Sequence, residues 1–217
     1  MKKLLIVSVL LISLTANAQT HQIGIKSGIN FSSVLMKPDF DGNKFKCGYM
    51  GGITYNYQFA NGFGVGADLL YSRKGYKQEL FLTDVLGDII GDLAYFYHYD
   101  YLSIPLKASY QLGNKLFCNF SIGIVPSIAV GRSFESNPAT PTLYHNPSLK
   151  AFDLGALVEI AGGYTFKEKY TLYAAFAYDQ SIINNDPTIT QYPGMMLLKK
   201  WNCVMNIALG FKYNIGS

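Results

Sequence analysis

Charge is scarce in this sequence. Asp, Glu, Lys and Arg make up 15% of its 217 residues, where globular chains usually carry about 25%. The formal net charge is only +4, and two of those charges, Lys2 and Lys3, belong to an N-terminal segment that reads as removable. A nucleic-acid partner is therefore not expected. Cysteine is rare too. Cys47, Cys118 and Cys203 are odd in number and widely separated, which excludes a disulfide framework and a cysteine metal cluster. The three histidines show no ligand spacing, so neither a metal nor a cofactor is expected. Long apolar runs are missing beyond residue 18, where nothing approaches the ~20 residues that a spanning helix needs.

What is abundant makes those absences informative. Apolar residues reach 49%, with 17 Tyr, 14 Phe and 21 Gly, and the mean hydropathy is +0.13. Disorder is excluded, because it needs low hydrophobicity and high net charge together. Some structure other than helices must hide the apolar surface.

The first residues read as an address. Met1-Lys2-Lys3 is a basic tip, residues 4–14 are apolar, and Thr15-Ala16-Asn17-Ala18 supplies a small-x-small end. This is the pattern of a secretory signal peptide cleaved after Ala18. The expected organisation is residues 1–18 as the signal and residues 19–217 as one domain.

The remainder alternates. Trp201, Cys203, Met205, Ile207, Leu209, Phe211, Tyr213 and Ile215 are apolar, and between them sit Asn202, Val204, Asn206, Ala208, Gly210, Lys212 and Asn214. Side chains of a strand point to opposite faces in turn, so one face is oily and the other small or polar. The same period recurs over residues 116–131, 102–112 and 152–160, and more weakly over 23–31, 45–59, 63–71 and 172–178. Eight strands are predicted. Their links alternate between short (60–62, 113–115, 167–169) and long (34–44, 75–96, 133–149, 184–199). Centring the second short link on Asn114 pairs Gly123 with Pro105.

Short turns at one end, long loops at the other and alternating strands of about ten residues mark a transmembrane barrel. The predicted fold is all-β, an eight-stranded antiparallel up-and-down transmembrane β-barrel. Its closed ladder satisfies every backbone group inside lipid. A soluble barrel with the apolar face inward is the competitor. It would need a water-loving outer face, yet the opposite parity holds mostly Gly, Ala, Ser and Asn. Aromatics near the strand ends (Tyr55, Tyr57, Phe59, Tyr95 to Tyr101, Tyr164, Phe166, Tyr170) read as interfacial girdles. The three cysteines fall on the lipid-facing parity.

Several motifs carry a resemblance. Gly24-x-Lys26-x-Gly28-x-Asn30, Tyr71-Ser72-x-Lys74-Gly75, Tyr101-Leu102-x-Ile104-Pro105-Leu106 and Leu209-Gly210-Phe211-x-Tyr213 resemble the Bacteroidota outer-membrane β-barrel family labelled porin-family or PorT-like. The resemblance implies residence in the cell outer membrane, contact with outer-membrane lipid, and envelope or secretion proteins as partners. It brings no catalytic residues. The chain departs from the family at Ile215-Gly216-Ser217, where a terminal aromatic is usual.

Eight strands enclose only enough room for their own side chains. The inward parity holds Lys26, Lys46, Asp68, Lys74, Lys107, Asp153, Glu159, Asp179 and Lys212. These charges of both signs nearly balance, so a self-neutralising plug is expected in preference to a selective path. The expected core of that lumen network is Lys26, Asp68, Lys107, Asp153, Glu159, Asp179 and Lys212.

Other candidates are thin. His98, Asp100 and Ser103 hold the residue types of an acyl-transfer site, but Ser103 takes the opposite face. Asp84, Asp88 and Asp92 recur every fourth residue without a ring of oxygen ligands. Pro105 and Pro126 each remove a ladder donor, so a bulge or break is expected at them. The loops at 136–147 and 184–188 are turn-rich and hold room for binding. The expected role is non-catalytic, structural or contact-making through the loops. The alternatives are a PorT-like accessory of secretion or small-solute transport, and a lipid A-modifying barrel enzyme.

Overall fold

The computed structural model describes residues 20–37, 42–137, 150–185 and 199–215. Residues 1–18, read above as a signal peptide, lie outside them, as do His145 and most of the two turn-rich loops. Ten strands are present among the described residues: β1 (Thr20–Lys37), β2 (Asn43–Lys44), β3 (Lys46–Gln58), β4 (Phe63–Thr83), β5 (Ile89–Ser103), β6 (Leu106–Leu112), β7 (Leu116–Asn137), β8 (Phe152–Phe166), β9 (Tyr170–Ser181) and β10 (Lys199–Ile215). All pairings are antiparallel, and β1 pairs with both β3 and β10, so the sheet closes into a ring. β2 runs on into β3, and β5 and β6 are one stave broken at Ile104-Pro105, since each pairs with both β4 and β7. Ten segments therefore make eight staves.

The break follows from chemistry. Proline has no N–H to give the ladder, and around Pro105 the chain is tied by Asp68 N donating to Pro105 O at 3.0 Å and Ile104 N donating to Pro126 O at 2.9 Å. Pro126 itself sits inside continuous β7.

The alternation resolves into two environments. Ile25, Ile53, Leu69, Leu106, Ile122, Val158 and Leu209 all point outward and are 41–67% exposed. The other parity is buried, including Lys26, Asp68, Lys74, Lys107, Asp153, Glu159 and Asp179. Apolar side chains outside and ions inside is the arrangement a bilayer requires and water does not.

Three expectations need correction. Gly123 pairs with Lys107 and not with Pro105, because the turn centres on Lys115; the two-residue slip preserves the faces. The supposed loop at 75–96 is largely strand: β4 and β5 continue as a paired hairpin to Thr83 and Ile89. Its tip is closed by Asp84, whose Oδ1 accepts from the backbone N–H of Leu86 and Asp88 at 2.8 and 3.0 Å. Asp84 is a turn residue. Third, Tyr97, Tyr99 and Tyr101 are not part of an interfacial girdle. They are buried inside the barrel, at 6%, 3% and 0% exposure.

Candidate functional site

The lumen is filled in three storeys. At the end with the short turns, Phe117, Ala161, Tyr173 and Ala175 form an apolar floor. Lys212 lies over the Tyr173 ring, 4.7 Å from its centre. Gly210 makes that possible: a Cβ there would stand 2.2 Å from the tyrosine ring.

Above the floor lies the ionic storey. Glu159 takes Lys26 on one oxygen and Lys107, at 3.2 Å, on the other. Lys107 also reaches Asp68 at 2.7 Å. Lys74 reaches Asp179 at 2.9 Å, and its ammonium stands 5.4 Å from the centre of the Tyr101 ring. Asn30 donates to Ser72 at 2.8 Å, and Ser103 and Ser127 share a hydrogen bond of the same length. These groups are nearly sealed from solvent, so each ion depends on its partner.

The outer storey is aromatic. Val34, Met36, Tyr76, Tyr97, Tyr99 and Tyr101 pack together, with Tyr95 and Phe134 against them. Tyr76 and Tyr97 stack with ring centres 4.4 Å apart. Beside them, Asp153 accepts from Ser181 and Asn202, each at 2.8 Å, and Asn202 also donates to the Tyr101 hydroxyl at 3.2 Å. Between the ionic groups and Val125, Leu157 and Ala177, the free space amounts to about 40 Å³, room for no more than a few waters.

All seven residues of the predicted charge network thus face the lumen, but they do not form one set. Asp68, Lys107, Glu159 and Lys26 are joined directly, Asp179 is held by Lys74, and Lys212 and Asp153 stand apart at opposite ends. Lys46, expected inside, is outside. Met50 pairs with Ser72, but Lys44 pairs with Lys77, so one residue of register is lost between them. Lys46 still lies opposite Ser32 in the β1–β3 ladder, but its side chain reaches away from the lumen, with Nζ 2.5 Å from His98 Nδ1. Gly75 sits at the slip with φ +149°, and a Cβ there would meet Tyr97 O at 1.9 Å. Ser32 fixes it by accepting from Gly75 N and donating to Gly75 O, both at 2.8 Å. With Lys46 gone, the lumen holds four lysines and four carboxylates.

His98 belongs to an outward-facing rim that sequence reasoning missed. Arg73 pairs with Asp100 at 3.4 Å, and His98 Nε2 is 3.6 Å from Glu135. The rim lies just beyond the outward Tyr49 and Tyr71, whose rings are 6.0 Å apart. Charges on the outer wall mark where the hydrocarbon belt ends. The one available signal was Gly75, whose lack of a side chain inside a strand advertises a bulge. Ser103 stays in the lumen, because the extra residue of the bulge at Asp100/Tyr101 lies in β7 and leaves the alternation of β5 intact. His98, Asp100 and Ser103 are therefore not brought together.

The cysteines are free; Cys47 is exposed and Cys118 half-buried, but Cys203 is covered, with Sγ 3.4 Å from the Tyr178 hydroxyl. His21 bonds Tyr55 OH at 2.8 Å and packs at a tilt against the Tyr57 ring, 4.9 Å between centres. Among the described residues no group of three or more His, Cys, Asp or Glu could hold a metal.

Comparison with known proteins agrees with this geometry. Residues 17–186 match the family model for the outer membrane protein beta-barrel domain. Neisserial surface protein A is similar in structure, at 11% identity over 91% of this chain and 99% of that one, with a TM-score of 0.51. OprG from Pseudomonas aeruginosa is 14% identical over 93% and 99%, with a TM-score of 0.47. Ail of Yersinia pestis is 14% identical over 89% and 98%, with a TM-score of 0.41. No curated protein matches the chain. The chain belongs to the outer membrane protein beta-barrel domain family, and its place is the outer membrane.

Proposed function

We propose that this member of the outer-membrane barrel family is a closed, non-catalytic scaffold whose contacts are made by its extracellular wall and loops, with other envelope proteins as partners. The filled lumen carries this reading. An aromatic storey, an ionic storey and an apolar floor lie in series, and the space between them is about 40 Å³. Open diffusion pores need about 16–18 strands, and this ring has eight staves. Function is then left to the outward surfaces: the rim of Lys46, Arg73, His98, Asp100 and Glu135, and the loops above it.

The motifs shared with the PorT-like group serve the lumen. Lys26 pairs with Glu159, Asn30 with Ser72, and Lys74 with Asp179. They speak for the architecture of such barrels and carry nothing specific to secretion. Export through residues 1–18 is part of the proposal; N-terminal sequencing of the membrane-inserted protein should begin at Gln19.

Planar bilayer recording of the purified protein tests the central point. No steady current is expected at moderate voltage. Reproducible ohmic steps would show a continuous path and end the scaffold reading.

A further inference from the structure

Three of the four lumen carboxylates are neutralised by a lysine in direct contact. Asp153 is the fourth. It is 3% exposed, and no lysine, arginine or histidine among the described residues reaches it within ion-pair distance. Its Oδ2 accepts from two neutral donors, the Ser181 hydroxyl and the Asn202 amide, both at 2.8 Å. Its Oδ1 is buried and accepts nothing. A buried carboxylate held only by neutral groups is costly, because the desolvated charge has no counter-charge.

A second orphan lies beside it. Asn185 is 1% exposed, and its Oδ1 also has no partner. Its Nδ2 donates to the same Ser181 hydroxyl, at 3.3 Å, that donates to Asp153. One hydroxyl thus links the two side chains whose remaining oxygens are both unsatisfied. Asn185 is also fixed in place: its N–H donates to Lys200 O at 2.9 Å, and its own carbonyl accepts from Lys150 N at 3.1 Å. That backbone clamp joins the chain before β8 to the start of β10, across the outer end of the lumen.

We propose that Asp153 and Asn185 hold a monovalent metal cation, Na⁺ or K⁺, at the outer end of the lumen. The donors are all oxygens, which suits hard cations and excludes the soft ones that favour sulfur or imidazole. A single carboxylate matches a single positive charge; a divalent ion would leave an excess charge in a sealed site. The lysine-held carboxylates deeper in the lumen do not compete, since each already has its cation. The bound ion would finish the outer storey by the same rule that governs the ionic one, a counter-charge for every buried charge.

The test uses the mature chain folded in detergent micelles. Its thermal midpoint is followed at constant ionic strength while choline chloride is exchanged for NaCl or KCl. A saturable rise on the order of 2–4 °C is expected for one of the two metal ions. Asp153→Asn, which keeps the shape and the Ser181 and Asn202 neighbours, should abolish the response. Asn185→Ala, which keeps the backbone clamp, should raise the half-saturating concentration about tenfold. Asn185→Asp should convert the preference to Ca²⁺, by adding a second carboxylate. Equal behaviour in choline and in both metal salts overturns the site. A response in the original protein to Ca²⁺ alone overturns the monovalent assignment, and a Na⁺ or K⁺ response that survives in Asp153→Asn overturns the role of that carboxylate.

Discussion

Lys74 of β4 meets Asp179 of β9 at 2.9 Å, across the full width of the barrel and between staves that share no backbone hydrogen bond. Contacts of this kind lock the ring from within, and they govern what substitutions should do.

Glu159 holds two lysines, so its loss leaves Lys26 unpaired and Lys107 with Asp68 alone. Glu159→Leu is expected to destabilise the folded barrel by about 3–5 kcal/mol. Urea titration of the protein in lipid vesicles, read by the gel shift between folded and unfolded forms, measures it. Lys26→Met combined with Glu159→Leu should not recover the whole loss, because Lys107 would still lack one of its partners.

Ile122 points into lipid at 65% exposure. Ile122→Arg should cost about 2–4 kcal/mol near mid-depth and reduce insertion into vesicles in proportion. Insertion equal to that of the original protein would mean that the two faces have been assigned the wrong way round.

Gly210 and Gly51 should answer differently to alanine. A Cβ on Gly210 would collide with the Tyr173 ring, whereas the nearest atom to one on Gly51 is 3.7 Å away. Gly210→Ala should cost about 1–3 kcal/mol through overpacking of the floor; Gly51→Ala should be tolerated. Paired urea titrations give the difference.

At the base of the protruding hairpin, Glu79 accepts hydrogen bonds from Lys44 and Lys77, and these hold its carboxyl below the ordinary value of 4.5. A depressed folded pKa gives stability that is present above 4.5 and lost as pH falls through the lower folded value. Amide exchange over residues 77–94 should therefore accelerate as pH is taken below 4.5, after correction for intrinsic rates, while the staves of the barrel stay protected. Glu79→Gln should show the faster exchange already at neutral pH.

Much of this molecule could be read from alternation alone. The outward row of β10, Trp201 to Ile215, and the inward lysine and carboxylate positions follow from a two-residue period that is local to each strand. The hairpin at 75–96 could not be read that way, because its Gly and Asp residues imitate a loop while its pairing comes from tertiary contact. Lys46 was misplaced for a related reason. Its backbone keeps the inward register opposite Ser32, and only the tertiary contact with His98 of β5 draws the side chain out. Tyr97, Tyr99 and Tyr101 share the parity of the inward Ser103, but their place at a strand end made them read as girdle residues instead of interior ones.

The sequence by itself determined the number of staves, the side that meets hydrocarbon and the near balance of inward charge, since each of these is a property of short segments and their spacing. Tertiary structure decided which lysine answers which carboxylate, which tyrosines close the mouth and why Asp153 has no counter-charge among the described residues. Those outcomes depend on register and closure between distant strands, and a bulge of one residue is enough to redirect them.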